Sequence, residues 1–296
     1  MGLKDFRIIY DNSWGTYYPG QTVSGNIIVV LNSMKKIRGM LCIFESIYRD
    51  GTQTVTIQSG EHKFPFQCIL PVNLPSSFES DFGHVRYTVK ATLDRPWKFD
   101  QEVKSPFTVV SPFDLNQEAR CLEKVQEEMS KTFCCLCCGT PSLTVNYSLP
   151  VRGYVPGQTM PIKVNVENLS GVTVDTVKLI LCKIVTFRAT TPTTDTKTEE
   201  IVVAEVGKGP VDGHGSADYE QKLDIPPLPP SNLTNCGIID LEYNLKVVAC
   251  VSGWFVYVTL SNGARSLWER GESEHIFGVS NRFAPKYPVF NFAANQ

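Results

Sequence analysis

The densest cluster of chemistry-bearing side chains is "KTFCCLCCGT", where Cys134, Cys135, Cys137 and Cys138 put four thiols within five residues. Zinc is one use for them. Tetrahedral sites pair cysteines two to four apart with a distant second pair, so adjacent cysteines would need donors from elsewhere, such as Cys121 or Cys236. S-palmitoylation is a second use: flanked by Phe133 and Leu136, the segment would approach a membrane, and two acyl chains anchor firmly. Packing of partly buried thiols against the neighbouring domains is a third. Catalysis has little to build on. His62, His84, His214 and His275 are scattered, without the Cys–His, Ser–His or His–Glu spacing that a reaction needs. "GKGPVDGHGS" (207–216) lacks the Gly-Lys-Ser/Thr ending of a phosphate cradle and is expected as a loop. No enzymatic activity, catalytic residue, metal or cofactor is therefore expected.

Two basic stretches suit binding. "NSMKKIRG" (32–39) clusters Lys35, Lys36 and Arg38 at a turn between strands, where they would hold a phosphorylated or acidic chain by charge-assisted hydrogen bonds, or simply be solvated. "DRPWKFDQ" (94–101) carries Arg95, Trp97 and Lys98 after a strand; an exposed Trp there marks a contact site, and a packed one only closes the loop. "TTPTTDTKTEE" (190–200) reads as a hairpin tip, either inert or open to phosphorylation.

The elements that must carry these groups repeat. "YPGQTVSGNI" (18–27) and "YVPGQTMPIKV" (154–164) align Gly20 with Gly157, Gln21 with Gln158 and Thr22 with Thr159. "HVRYTVKATL" (84–93) alternates Val85, Tyr87, Val89, Ala91 and Leu93 with polar residues, and "DLEYNLKVV" (240–248) does the same with Leu241, Tyr243, Leu245 and Val247. Period two marks a strand with one face in a core. Tyr87 matches Tyr243 and Lys90 matches Lys246. Each strand follows a proline-rich lead-in, "ILPVNLPSSF" (69–78) or "DIPPLPPSNL" (224–233), which cannot complete a ladder and is expected as loop or edge. Other segments are rich in Val, Ile, Thr and aromatics, divided by Pro-Gly, Asp-Gly and Asn-Gly turns. The pattern predicts antiparallel sandwiches, two copies of one domain. Only "DLNQEARCLEKVQEEMSK" (114–131) reads as helical, at least in part, with Leu115, Ala119, Leu122, Val125 and Met129 toward one side and Asp114 or Asn116 as cap.

At 296 residues the chain has room for two cores, and a net charge of −2 gives no reason to expect nucleic acid. "VVACVSGWFVYVTL" (247–260) is too short to span a bilayer. No basic region followed by an apolar run opens the chain, and Phe6 stands where myristoylation needs Ser or Thr. Ten cysteines without a signal segment suggest reduced thiols and a cytoplasmic location, leaving the sequons at Asn146, Asn168 and Asn232 without a role.

"GEHKFPFQCILPVNLPSSFE" (60–79), "GHVRYTVKATLDRPWKFDQ" (83–101) and "RGYVPGQTMPIKVNVEN" (152–168) closely resemble the alpha-arrestins, the arrestin domain-containing proteins. The resemblance implies an all-β chain of two tandem arrestin-type, immunoglobulin-like antiparallel sandwiches: a shortened amino-terminal one over 1–113, a connector with the Cys cluster over 114–138, a carboxy-terminal one over 139–260 and a divergent tail over 261–296. It also implies a non-enzymatic cytosolic adaptor that binds membrane receptors or transporters through their cytosolic tails and regulates their ubiquitination, endocytosis and endosomal sorting, with peripheral association at the plasma membrane or endosomes. Lys35, Lys36, Arg38, Arg95, Trp97 and Lys98 would then contact cargo. No Pro-Pro-x-Tyr is present, so WW-domain ubiquitin ligases would be reached indirectly. A shortened or alternatively spliced form is expected. The alternatives are an arrestin-fold subunit of an endosomal sorting coat and a competitor isoform uncoupled from the ligase. "YRDGTQTVTIQSG" (48–60) is short for the family; a new hairpin about Asp50-Gly51 is expected to close the gap, giving a first sandwich less complete than the second. The segment from about 264 onward is expected to be the least ordered.

Overall fold

A computed structural model describes residues 2–42, 45–49, 55–97, 99–132, 142–251 and 283–290. They divide into two compact units, one built mainly from residues up to Pro112 and the other mainly from Phe113 onward. The Cys134, Cys135, Cys137 and Cys138 cluster and Lys98 lie outside the described residues, as does the divergent stretch after Val251 up to residue 282.

In the amino-terminal unit the strands are β1 (Leu3–Tyr10), β2 (Thr16–Tyr17), β3 (Thr22–Leu31), β4 (Lys35–Ile37), β5 (Gly39–Cys42), β6 (Glu45–Arg49), β7 (Val55–Ile57), β8 (Gly60–Ile69), β9 (Phe78–Glu79), β10 (His84–Val85), β11 (Tyr87–Asp94) and β12 (Gln101–Val109). They form a three-stranded sheet β1-β3-β8, a five-stranded sheet β2-β12-β11-β5-β6, and two-stranded pieces β4-β7 and β9-β10. Alternation along β3 and β11 sends Val23, Ile27, Val29, Val89, Ala91 and Leu93 into one core with Phe66 and Phe107. The strands either side of Asp50-Gly51 do not pair with each other: β6 joins β5, and β7 joins β4. β5 and β6 are two residues apart in sequence, and so short a closure wins over the expected hairpin.

The carboxy-terminal unit contains β13 (Val125–Thr132), β14 (Ser142–Leu149), β15 (Thr159–Asn168), β16 (Val174–Ala189), β17 (Asp195–Lys208), β18 (Gly215–Asp224) and β19 (Ile239–Val251). Sheets β13-β14-β15-β18 and β17-β16-β19 enclose a core that includes Ile162, Val164, Leu179 and Val247. All of the main-sheet pairings in both units are antiparallel except β2 with β12.

One expectation fails here. Only Leu115–Gln117 and Ala119–Leu122 form short 3-10 turns, the first capped by the Asp114 carboxylate; Val125–Thr132 is a strand, paired with β14 along its whole length. Val125 and Met129 are four apart, a spacing that satisfies both a helix face and a strand face. Pairing with an existing sheet edge decides in favour of the strand.

The repeat is structural down to individual hydrogen bonds. Gly20 and Gly157 both take positive φ, 83° and 91°, which only glycine adopts without strain. The Gln21 and Gln158 side chains accept from the backbone N–H of Tyr18 and Val155 at 2.9 and 2.8 Å. Leu70 N–H donates to Gln21 O and Ile225 N–H to Gln158 O, both at 2.9 Å, so each turn ties down its own proline-rich lead-in. The matched tyrosines do the same from the other side: Tyr87 donates its hydroxyl to Pro75 O at 2.8 Å, and Tyr243 to Pro229 O at 2.7 Å. Lys90 pairs with Glu102 and Lys246 with Glu200.

Burial pushes the Tyr87 phenol up to about 12, with Cys236 adding to the effect, and burial pushes Tyr219 in the other unit up to about 12. Both folded values lie above the ordinary value of 10, so the stability that each contributes is complete below pH 10 and is lost as the pH rises toward 12. Phenolate absorbance of the native chain should therefore lag behind that of the urea-unfolded chain over this window, with both units losing stability. Superimposable native and unfolded titrations would contradict the burial.

Candidate functional site

The β4 turn and the β11–β12 hairpin, nearly sixty residues apart in sequence, meet at one end of the amino-terminal unit. Ile37 is 3% exposed and plants the turn in the core, which leaves its neighbours facing outward. The Lys35 Nζ donates to Gln101 Oε1 at 2.6 Å. The Arg38 backbone N–H donates to Asp94 O at 2.9 Å, and its guanidinium grips the Asp94 carboxylate through Nε at 2.9 Å and Nη2 at 2.7 Å. Both side chains of that pair are about half exposed, so the contact sets position more than stability. Lys36 is exposed beside them.

The hairpin tip is organised by Arg95. Its guanidinium donates to Phe99 O, at 2.8 Å through Nε and again through Nη2, while its backbone N–H donates to the Asp100 carboxylate at 3.1 Å. This holds the tip closed with its rings outside. Trp97, at φ 58°, is 102% exposed and Phe99 94% exposed; Met34, before the β4 turn, is 67% exposed. Of the two readings of Trp97, packed or presented, the structure shows the presented one. This end of the unit thus carries Lys35, Lys36, Arg38 and Arg95, of which Arg38 is paired with Asp94, on the same turn and hairpin as the exposed Trp97, Phe99 and Met34. The chain pattern carries no sign of this juxtaposition, nor of the exposure of Phe99 and Met34; the one available signal was an aromatic on each side of Lys98 in a turn.

Other stretches resolve differently. Thr190–Thr194 is an exposed connection between β16 and β17, but Asp195–Glu200 belongs to β17 itself. Residues 207–216 run from β17 to β18 through a loop fastened by Val211, which is buried and pairs with Val174. The sequon at Asn168 is 0% exposed, its side chain committed to internal hydrogen bonds. On the outer face of β14, β15 and β18 a shallow cup of about 470 Å³ is crossed by a row in which Asn146 donates to Asn165 at 3.4 Å and Asn165 to Asp218 at 2.8 Å. The amides of Asn146 and Asn165 are thereby committed within the row. Among the described residues no group of three His, Cys, Asp or Glu is placed to hold a metal, and no helix is long and apolar enough to cross a membrane.

Part of the segment expected to be least ordered is held in place. In the amino-terminal unit the Tyr287 hydroxyl donates to Ser77 O at 2.9 Å, Lys286 N–H donates to Thr108 Oγ1 at 3.1 Å, and Arg86 lies over the Phe283 ring. Burial of its ring pushes the Tyr287 phenol well above the ordinary range. In the other unit Phe290 N–H donates to Pro156 O at 3.1 Å.

Two family descriptions match this chain: "Arrestin (or S-antigen), N-terminal domain" over residues 42–116, and "Arrestin (or S-antigen), C-terminal domain" over 140–262. The chain belongs to the arrestin family. Its relatives include arrestin domain-containing protein 17 of Caenorhabditis elegans, 29% identical over 83% of this chain and 67% of that protein. Arrestin domain-containing proteins 1 and 4 of Homo sapiens are 32% and 31% identical, over 82% and 81% of this chain and 60% and 56% of their own lengths. The chain thus spans little more than half the length of the two human relatives. The tandem arrestin sandwiches account for the paired Pro-Gly-Gln-Thr turns: they are equivalent positions in the two domains.

Proposed function

We propose that this chain is a non-enzymatic adaptor that binds the cytosolic tails of membrane receptors or transporters and regulates their ubiquitination, endocytosis and endosomal sorting. The observation that carries the reading is the basic end of the amino-terminal unit, where Lys35 and Arg38 bond to the two strands of the hairpin whose tip carries Arg95 and an exposed Trp97, with Lys36 exposed between them in sequence. Membership of the arrestin family supports an adaptor role. Lysine and arginine held on a rigid sandwich suit phosphate and carboxylate groups of an extended tail, because charge-assisted bonds are strong and the scaffold has already fixed their geometry. Lys98 extends the same set in sequence.

The test is a fluorescence anisotropy titration of the whole chain against an acidic peptide carrying two phosphoserines. Lys35→Gln/Lys36→Gln/Arg38→Gln should weaken binding about tenfold or more, and added salt should weaken the wild type in the same way. Equal affinity of the two chains would contradict the assignment.

A further inference from the structure

The tip of the β11–β12 hairpin has a second property that tail binding does not explain. Trp97 and Phe99, one residue apart, stand almost wholly in water, and Met34 is exposed on the neighbouring turn. Single exposed apolar residues are ordinary; two aromatic rings held outward by their own loop, which a cation of that loop, Arg95, closes, are not. The outward pose is built in. Arg95 closes the loop onto Phe99 O and Asp100, and Trp97 occupies the left-handed region, which bulky residues enter only at a cost. A hairpin tip is also convex, and offers too little area for a protein interface of about 800 Å² per partner. A bilayer surface wraps around such a point. Trp and Phe favour the headgroup region, and each nearby cation strengthens attachment to anionic lipid by about fivefold.

We propose that this tip docks on an anionic lipid bilayer surface, with Trp97 and Phe99 entering the headgroup region and Lys36, Arg38 and Arg95 facing the lipid charges. The inference rests on the reading of the chain as an adaptor for membrane-embedded cargo, and gives that adaptor a direct hold on the lipid beside its cargo.

Flotation of the whole chain with vesicles of phosphatidylcholine, alone or with a third replaced by phosphatidylserine, tests it. Binding is expected only with phosphatidylserine and should weaken with salt. Trp97→Ser/Phe99→Ser should lower partitioning about tenfold or more. Trp14→Ser is the control: Trp14 is also exposed but adjoins Gly15, which bonds to Thr108 at the far end of β12, roughly 23 Å along the strand. Partitioning unaffected by the double substitution, or reduced equally by Trp14→Ser, would overturn the proposal, as would tip-dependent capture of a soluble protein with no vesicle binding. The phosphopeptide titration contains no lipid, so the two readings fail separately. Lost vesicle binding would leave the peptide result standing, and the reverse holds too.

Discussion

Asn168→Ala is expected to destabilise the carboxy-terminal unit by about 4 kcal/mol, a large effect for a single polar substitution. The Asn168 side chain is fully buried at the end of β15 and satisfies four groups at once. Its Nδ2 donates to Val172 O at 2.8 Å and Asp212 O at 3.0 Å, and its Oδ1 accepts from the Ser170 backbone N–H at 3.1 Å and the Ser170 hydroxyl at 2.6 Å. Alanine removes all four bonds, leaving the buried Ser170 N–H and hydroxyl and the part-buried carbonyls of Val172 and Asp212 without their partner. Each orphaned group costs about 1–3 kcal/mol, and the Ser170 hydroxyl recovers only a long contact to Val172 O at 3.4 Å. Asn168→Asp should be comparably damaging, since it keeps the acceptor but turns an anion toward two carbonyl oxygens. Hydrogen exchange under mild urea checks this by region: protection should fall in β15 and β18 and stay unchanged in β1 and β3. A loss under about 1 kcal/mol would mean that the knot relaxes or admits water.

The second large effect is Gly25→Ala in the other unit, expected to cost about 3 kcal/mol. Gly25 sits mid-strand in β3, between Tyr10 on β1 and Phe66 on β8. A methyl group there would lie 2.2 Å from Ile9 O and 3.0 Å from the Phe66 ring. Neither neighbour moves freely: one is ladder backbone, and the other is a buried ring against Tyr10. The strand would have to shift or β1 peel away. Chemical denaturation followed through the amino-terminal unit should show an earlier midpoint. An unchanged midpoint would mean that β1 contributes little to that unit's stability.

Both residues show where the chain pattern stops being informative. Turn chemistry and period-two alternation are local, so the Pro-Gly-Gln-Thr turns and the strands around Tyr87 and Tyr243 pair on sequence alone. What a residue meets across a sheet is not local. Gly25 lies in one copy of the repeat, yet nothing adjacent in sequence marks Ile9 O above it. Asn168 stands out in the chain only as a sequon, although one of its two partner carbonyls lies at residue 212. Val125–Thr132 misled because a four-residue spacing suits helix and strand alike. The basic end is half visible in the chain: its two basic stretches are each conspicuous, but it takes contacts across the fold, Lys35 to Gln101 and Arg38 to Asp94, to bring them together. The exposure of Trp97 depends on a loop closure by Arg95 that no periodicity encodes.

The adaptor role turns on whether this basic end selects membrane-protein cargo inside cells. The direct measurement is quantitative co-precipitation of the whole chain from gently cross-linked cells, beside the Lys35→Gln/Lys36→Gln/Arg38→Gln chain, scoring integral membrane proteins and WW-domain ligases. The expected result is a set of membrane proteins recovered with the wild type and depleted at least several-fold with the substituted chain. Equal recovery by both chains, or a stoichiometric soluble complex with no membrane protein, would contradict it.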